Sequence, residues 1–199
     1  INISQKLFGR QWPRPFFMAP VGFQQLFAPE GALHTARACA QKQQLMIAST
    51  VTNVSYAAIA AQFTGPKPWF QLYPTTNRQI TRRLVEQAEQ SGAKVLVITT
   101  DVPVLGNRGT NARPLIDALL GEKAQLGNLP EYSLYHPVHD PSMTWDIIPW
   151  IRSFTQMKIV LKGIMSAEDA LLAQQYDVDA VYISNHGARQ LDSNLSTIE

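Results

Sequence analysis

The stretch Val95-Leu96-Val97-Ile98-Thr99-Thr100-Asp101 decides how the fold is interpreted. Its first half is apolar at every position and rich in β-branched residues, which are typical of strands. A strand with one solvated face would alternate apolar and polar side chains, so this run predicts a strand covered on both faces, as in a parallel sheet. The run then becomes polar, which indicates that functional groups lie where this strand ends.

The same pattern recurs along the chain. Five further apolar runs predict strands, at residues 16–20, 45–49, 69–73, 158–162 and 180–184. Helices are predicted between them at residues 30–42, 77–91 and 166–176. Alternating strands and helices predict a parallel α/β fold, which leaves two architectures, a closed β/α barrel or an open doubly wound sheet.

Polar side chains occur at the same place in each predicted strand, its carboxyl end. The residues in question are Ser49, Gln71, Tyr73, Thr99, Asp101, Lys162, Ser184 and His186, and Pro20-Val21-Gly22 follows the first run. A barrel collects its active-site groups from the ends of many strands. A doubly wound sheet would concentrate them where the strand order reverses, so the sequence favours the barrel.

Composition excludes several classes of protein. The chain of 199 residues is 45% hydrophobic and 16% charged, which is ordinary for a globular domain and argues against disorder. A net charge of +2 is too small to suggest nucleic acid as a partner. The one cysteine, Cys39, excludes an intramolecular disulfide and fits a reducing compartment. No signal peptide or membrane-spanning run is visible, so we expect a cytoplasmic protein, with peripheral membrane contact left open.

The string Ser184-Asn185-His186-Gly187-Ala188-Arg189-Gln190-Leu191-Asp192 carries a resemblance to a known family. With Ala19-Pro20-Val21-Gly22, Phe70-Gln71-Leu72-Tyr73, Thr99-Thr100-Asp101-Val102-Pro103 and Leu161-Lys162-Gly163, it resembles the FMN-dependent α-hydroxy acid dehydrogenases and oxidases. These segments occur in the family order and cover nearly the whole chain. The resemblance implies a (β/α)8 TIM barrel, of which this chain has about six βα units.

The resemblance also implies roles in substrate binding. His186 is the base that takes a proton from a small L-2-hydroxy acid of the lactate, glycolate or mandelate type. Arg189 holds the substrate carboxylate, Arg108 assists it, and Tyr73 hydrogen-bonds the substrate. The 2-hydroxy acid becomes a 2-oxo acid, by hydride transfer or through a carbanion, and oxygen, a quinone or another acceptor then takes the electrons.

A second set of residues is implied to hold FMN. Lys162 faces the N1/C2 carbonyl side of the ring, and its positive charge favours the reduced flavin. Ser49, Gln71 and Thr99 are implied to bond the heteroatoms of the ring, and Pro20, Val21 and Gly22 pack near N5. Ser184 contributes to the flavin site or orders the His186 turn. No metal site is expected.

The domain prediction is a single FMN-binding barrel domain over residues 1–199, with a long loop and a helix at 101–157 after the fourth strand. Since the barrel needs eight strands, we expect the chain to be part of a longer protein, a tetramer-like homo-oligomer at full length, and not to hold FMN tightly alone. The aspartate that pairs with His186 is expected among the missing segments. The alternatives are an inactive barrel fragment that serves as an interaction module and, less favoured by His186 and Arg189, another flavin barrel.

Two smaller features concern metal binding and the subtype of the enzyme. His136, His139 and Asp140 resemble a metal cluster, but a loop with an intervening proline favours solvated histidines. Gly22 occupies a position that is often alanine in the family's oxidases, which mildly disfavours a simple oxidase.

Overall fold

The computed structural model describes residues 1–104, 106, 126–131, 139–191, 193 and 195–198. The strands are β1 (Gln5–Leu7), β2 (Arg10–Trp12), β3 (Ile47–Ala48), β4 (Trp69–Leu72), β5 (Val95–Thr99), β6 (Lys158–Ile164) and β7 (Ala180–Ile183). The helices are α1 (Ala32–Gln41), α2 (Tyr56–Ala60), α3 (Arg78–Gln90), α4 (Ile147–Arg152) and α5 (Ala167–Gln175). Short 3₁₀ turns cover Gln24–Leu26 and His186–Ala188. No helix within these described ranges is long and apolar enough to cross a membrane.

Strands β3 to β7 form one parallel sheet in the order of the sequence. Each strand pairs in parallel with the next one along the chain. Since this order never reverses, the sheet is wound in one direction, as in a β/α barrel, whereas a doubly wound sheet has a point of reversal. The sheet therefore confirms the prediction of barrel architecture over a doubly wound sheet.

The two faces of the sheet carry different apolar layers. The larger layer contains residues from all five helices and from strands β3 to β6, and its largest members include Phe70, Leu72, Leu84, Leu96 and Ile148. The other face is packed by strand residues alone: Ile47, Val95, Val97 and Val160, with Trp69, Ala180 and Tyr182 against them. A sheet with all its helices on one face and a strand-only layer on the other matches the wall and interior of a barrel. The arrangement also explains why the strands are apolar on both faces.

Side-chain caps set where the predicted helices begin. Asn77 accepts hydrogen bonds from the backbone N–H groups of Gln79 and Ile80, at 3.0 and 3.4 Å, and so starts α3. Ser166 accepts one from the N–H of Asp169, at 3.1 Å, and starts α5. Both helices therefore begin within one residue of the predicted position. The helix predicted within residues 101–157 corresponds to α4, which buries Ile147, Ile148 and Ile151.

The prediction of a first strand at residues 16–20 was wrong. The structure has only a single parallel bridge there, between Met18 and Met46. Its two hydrogen bonds join Met18 N–H to the Leu45 carbonyl and Ile47 N–H to the Met18 carbonyl. Pro15 and Pro20 flank the bridge, and proline has no N–H to extend a ladder. The segment nevertheless lies beside β3, where the first strand was expected. The β1–β2 hairpin and α2 were not predicted.

Asp179 links the amino end of β7 to α4 and β6 through hydrogen bonds. Its carboxylate accepts hydrogen bonds from Arg152 and, at 2.8 Å each, from the Ile159 N–H and the Lys158 ammonium. Burial alone would raise the pKa of Asp179, but the bonds from Lys158, Arg152 and Ile159 outweigh it and hold the pKa below its usual value. One carboxylate thus joins α4, β6 and β7.

We expect Asp179→Asn to lower the free energy of unfolding of the full-length protein by about 1–3 kcal/mol at pH 7, since the buried Ile159 N–H and the half-buried Arg152 lose a charged acceptor. Because the pKa of Asp179 is lower in the folded protein than the unfolded value of about 3.9, its carboxylate stabilises the folded state above that pH. This stabilisation is lost as the pH falls through the folded-state pKa. The difference between variant and wild type should therefore shrink below about pH 4. Urea titration at several pH values measures it. Asp177→Asn, which removes the same charge at an exposed position, is the control, and an equal loss there would contradict the assignment.

Candidate active site

A chain of hydrogen bonds crosses the carboxyl ends of β3, β4 and β5. The Ser49 hydroxyl donates to Gln71 Oε1 at 3.2 Å, and Gln71 Nε2 donates to Thr99 Oγ1 at 2.9 Å. All three side chains are buried. The three residues expected to bond the flavin ring therefore lie side by side, as the sequence predicted. Thr50, which the sequence did not single out, supports them, since its hydroxyl donates to the Gln71 carbonyl at 2.6 Å.

Lys162 lies beside this row on β6, but the strand does not end there as predicted. β6 continues to Ile164, and its pairing with β7 shifts between Lys162 and Ile164. The shift falls at Gly163, whose φ is +118°, and a Cβ there would lie 2.7 Å from Asp101 Cβ. Only glycine allows both this backbone conformation and this close approach. The bulge thus brings Asp101 next to Lys162, with 3.4 Å between Nζ and Oδ2.

His186 stands on a strained turn directly after β7. Its φ is +58°, in the left-handed region that non-glycine residues rarely adopt. Asn185 Oδ1 accepts hydrogen bonds from the N–H groups of Gly187 and Ala188, at 3.0 and 3.3 Å. Ser184 Oγ accepts from the His186 N–H at 3.1 Å. The turn is therefore held by its own side chains, and the Ser184 hydroxyl orders it, which was one of the two roles open for this residue.

The imidazole of His186 is oriented by Asp101. Nδ1 lies 2.9 Å from Asp101 Oδ1. Because a carboxylate can only accept, Nδ1 carries the hydrogen and Nε2 keeps its lone pair. Lys162 Nζ is 3.2 Å from the same Nδ1, but an ammonium cannot receive a hydrogen bond from Nδ1–H, so this contact adds no second bond. The free Nε2 is the atom that can act as a base.

Asp101 stays ionised in this setting. Burial would raise its pKa, but the hydrogen bond from His186 and the charge of Lys162 outweigh burial and lower the pKa. For Lys162, burial is the larger effect and lowers the pKa, against the opposing attraction of Asp101. The two side chains are 10% and 7% exposed, so solvent screens their attraction only weakly.

One prediction is corrected here. The aspartate partner of His186 was expected in segments absent from this chain, yet Asp101 fills that position. The error arose because Asp101 and His186 are far apart in sequence and meet only through the parallel pairing of β5, β6 and β7. The motif Thr99-Thr100-Asp101 was the available signal, since it places a carboxylate directly after a central strand.

Tyr73 lies at the end of β4 with His139 against it. The two rings meet edge to face, with their centroids 4.3 Å apart. Burial lowers the pKa of His139 to about 4, and the charge of His186 acts in the same direction. His139 lies in a loop, as expected, but it is half-buried against Tyr73 and so less solvated than the sequence predicted. His136 lies outside the described residues, and no group of three potential metal ligands occurs within the described ranges.

The other predicted residues differ in their placement. Arg189 is exposed, and its guanidinium donates to the Gly187 carbonyl at 2.7 Å, on the same turn as His186. Arg108 lies outside the described residues. Pro20, Val21 and Gly22 pass beside the end of β3, where a Cβ at Gly22 would lie 2.7 Å from Val51 Cγ2. The structure thus brings most of the predicted set to one end of the sheet, with Arg189 at its margin.

Asn128 is a further residue of this region that the sequence did not reveal. Its Oδ1 accepts from the Tyr56 N–H at 2.6 Å, and its Nδ2 donates to the Thr50 carbonyl at 3.0 Å and to the Ser49 carbonyl at 3.4 Å. The backbone is tight here as well, because Gly127 N–H donates to the Thr52 carbonyl at 2.8 Å. Asn128 therefore fixes the loop that carries Ser49. It lies outside the motifs that carry the family resemblance, so no motif indicated it.

The donor set fits the isoalloxazine ring of FMN. That ring presents a ring N–H, two carbonyl oxygens and unprotonated nitrogens along its polar edge. The Gln71 amide offers both a donor and an acceptor, Ser49 and Thr99 offer hydroxyls that can do either, and Lys162 offers a buried cation. Because Gly22 has no side chain, its backbone can pack closely against Val51. These residues could hold the ring.

We expect Asn128→Leu to lower the free energy of unfolding of the full-length protein by about 1–3 kcal/mol, because a near-isosteric apolar side chain leaves the Tyr56 N–H unpaired. Since the Ser49 loop loses its support, the dissociation constant for FMN should also rise. Urea titration and flavin fluorescence measure the two quantities. A normal FMN affinity in a destabilised variant would show that Asn128 does not act on the Ser49 loop.

Comparison with known proteins supports the same interpretation. A model of the family described as "FMN-dependent dehydrogenase" matches residues 1–199. The chain is 38% identical over 205 residues to "2-Hydroxyacid oxidase 2" of Bos taurus, covering 100% of the chain and 58% of that protein. It is 35% identical over 217 residues to "L-lactate oxidase" of Nostoc sp., covering 100% of the chain and 59% of that protein.

A solved structure agrees in fold. The crystal structure of mandelate oxidase with (S)-4-hydroxymandelic acid superposes with a TM-score of 0.88 at 33% identity, covering 100% of the chain and 58% of that structure. The chain thus spans less than two thirds of the relatives it matches, and its five-stranded sheet is part of a (β/α)8 barrel. With the family model matching the whole of residues 1–199, the chain belongs to the FMN-dependent dehydrogenases.

Proposed function

We propose that the protein containing this chain oxidises a small L-2-hydroxy acid, of the lactate, glycolate or mandelate type, to the 2-oxo acid in an FMN-dependent reaction. The observation that carries this proposal is the 2.9 Å bond between His186 Nδ1 and Asp101 Oδ1. It leaves Nε2 as a base at the same end of the sheet as the Ser49, Gln71 and Thr99 row.

His186 takes a proton from the substrate through Nε2. The imidazole becomes positive as it does so, and the ionised Asp101 beside it stabilises that charge without moving. The strained turn gives the imidazole one orientation. Asp101 is therefore the positioning residue for His186, and it remains ionised because its pKa is lowered.

Other residues of the chain bind substrate and cofactor. Tyr73 hydrogen-bonds the substrate, while Arg189 and Arg108 hold its carboxylate, which a guanidinium can do with two parallel bonds. Arg189 would turn from the Gly187 carbonyl toward the substrate to do so. FMN, when bound, supplies the two-electron acceptor, and the Lys162 ammonium favours its reduced, anionic form.

Names of the relatives support the chemical class, since they refer to 2-hydroxy acid and L-lactate oxidation. The electron acceptor of this protein remains oxygen, a quinone or another oxidant. A single FMN-binding domain over residues 1–199, a cytoplasmic location and a tetramer-like homo-oligomer remain predictions. The inactive-fragment alternative is disfavoured, because a chain with no catalytic role has no need of a half-buried His186–Asp101 pair held on a strained turn.

The first test is anaerobic reduction of the flavin in the full-length protein by a panel of 2-hydroxy acids. We expect absorbance of the oxidised flavin to bleach with at least one of them. His186→Gln should bind FMN normally but lose reduction by about 10²- to 10⁴-fold, the contribution of a general base. Stopped-flow absorbance measures the rate. His34→Gln, at a 51% exposed side chain on α1, is the control, and no bleaching by any hydroxy acid would reject the proposal.

The second test concerns Asp101. We expect Asp101→Asn to lower the rate of flavin reduction by about 10²- to 10⁴-fold, because the imidazole loses both its orientation and the charge that stabilises its protonated form. The KM should change much less. Asp146→Asn, at an exposed position before α4, controls for the loss of a carboxylate. A variant with nearly wild-type reduction would show that Asp101 does not assist His186.

A further inference from the structure

His139 has a half-buried imidazole that the proposed reaction does not use. The backbone places it, since the N–H of the next residue, Asp140, donates to the Pro74 carbonyl at 2.9 Å. This bond anchors the segment to the chain just after β4. Asp140 is itself buried, and its carboxylate accepts from the N–H and hydroxyl of Ser142, at 2.9 and 2.6 Å. The position of His139 is thus fixed by the bonds of the residue that follows it.

The contact of His139 with Tyr73 is direct. Their rings lie edge to face at a centroid distance of 4.3 Å, an arrangement that is favourable for aromatic pairs and restricts the rotation of both. Both rings line one small concavity, together with Thr99, Val102, Pro103 and Met143. His139 therefore contacts Tyr73, the residue proposed to bind the substrate. It also lines the same concavity as Thr99, which lies at the end of β5.

The surroundings keep this imidazole neutral. Burial lowers the pKa of His139 to about 4, and the charge of His186 acts in the same direction. Among the described residues, His186 is the one charged group that acts on this pKa, since its ring, when protonated, opposes a second positive charge on His139. A neutral ring adds no positive charge that would compete with Arg189 for the substrate carboxylate or oppose protonation of His186.

We propose that His139 is a positioning residue for Tyr73: the two rings pack edge to face, and this contact fixes the direction in which the Tyr73 hydroxyl meets the 2-hydroxy acid. The inference rests on the proposed function, in which Tyr73 binds the substrate. It differs from a role in stability because it acts only through one hydroxyl group.

A double-mutant cycle tests this coupling in the full-length holoenzyme. His139→Leu removes the aromatic edge and should lower kcat/KM for the 2-hydroxy acid roughly three- to tenfold, the worth of one hydrogen bond, mainly through KM. Tyr73→Phe should cost a similar factor. In Tyr73→Phe there is no hydroxyl left to orient, so adding His139→Leu should cause little further loss. His139→Phe, which keeps an aromatic edge, should restore most of the loss.

The outcomes separate the possible explanations. Losses that multiply in the double variant, or a His139→Phe variant no better than His139→Leu, would overturn the inference, because a purely structural defect acts equally in both backgrounds. His34→Leu, on the exposed face of α1, controls for loss of an imidazole elsewhere. If no 2-hydroxy acid reduces the wild-type flavin, the proposed function fails and the inference fails with it.

A measurement without substrate tests the contact itself. In long-range ¹H–¹⁵N spectra of ¹⁵N-histidine-labelled protein, the His139 signals are those missing from His139→Leu. They should show a neutral ring at pH 7 that protonates near pH 4, the direction and value set by burial. A midpoint near the ordinary value of about 6.5 would show a solvated imidazole and overturn the positioning role.

Discussion

The carboxylate of Asp101 joins the ends of three neighbouring strands. It follows β5, accepts a hydrogen bond from His186 after β7, and faces the Lys162 ammonium on β6, while Ser184 Oγ lies 3.4 Å away. A buried carboxylate is stable only where such partners surround it. The left-handed turn at His186 and the bulge at Gly163 both serve this convergence, since each brings a partner within reach of Asp101.

Segments far along the chain stabilise the same end of the sheet from outside. Asn128 clamps the backbone that follows β3, and Asp140 bonds to the backbone that follows β4. Both come from the long connection between β5 and β6, which was predicted as a loop and a helix. Its described parts are thus structural supports for the site as well as a connection. Long connections of a barrel that dock on the carboxyl ends of strands are well placed to shape a substrate pocket.

The side chains of the row Ser49, Gln71 and Thr99 are held in place by hydrogen bonds to one another, so the fold orders this candidate binding site before any ligand binds. Each side chain has a buried partner, so the row does not depend on a ligand for its geometry. Such preorganisation lowers the entropic cost of binding, because the side chains are ordered beforehand. Thr50 adds to it by bonding to both β4 and the Tyr73 N–H, the latter at 3.1 Å.

Much of the architecture and the residues of the candidate site could be predicted from the sequence. Apolar runs followed by polar residues predicted the strands, the segments between them predicted helices that begin within a residue or two of α3 and α5, and the His186 string indicated the family, because these signals are local. The sequence did not reveal that residues 16–20 make only one bridge, that Asp101 is the partner of His186, or that the His139 ring packs against Tyr73. Those features depend on which strands are neighbours and on where a long connection docks, and only the tertiary structure brings such distant residues within a few ångströms of one another.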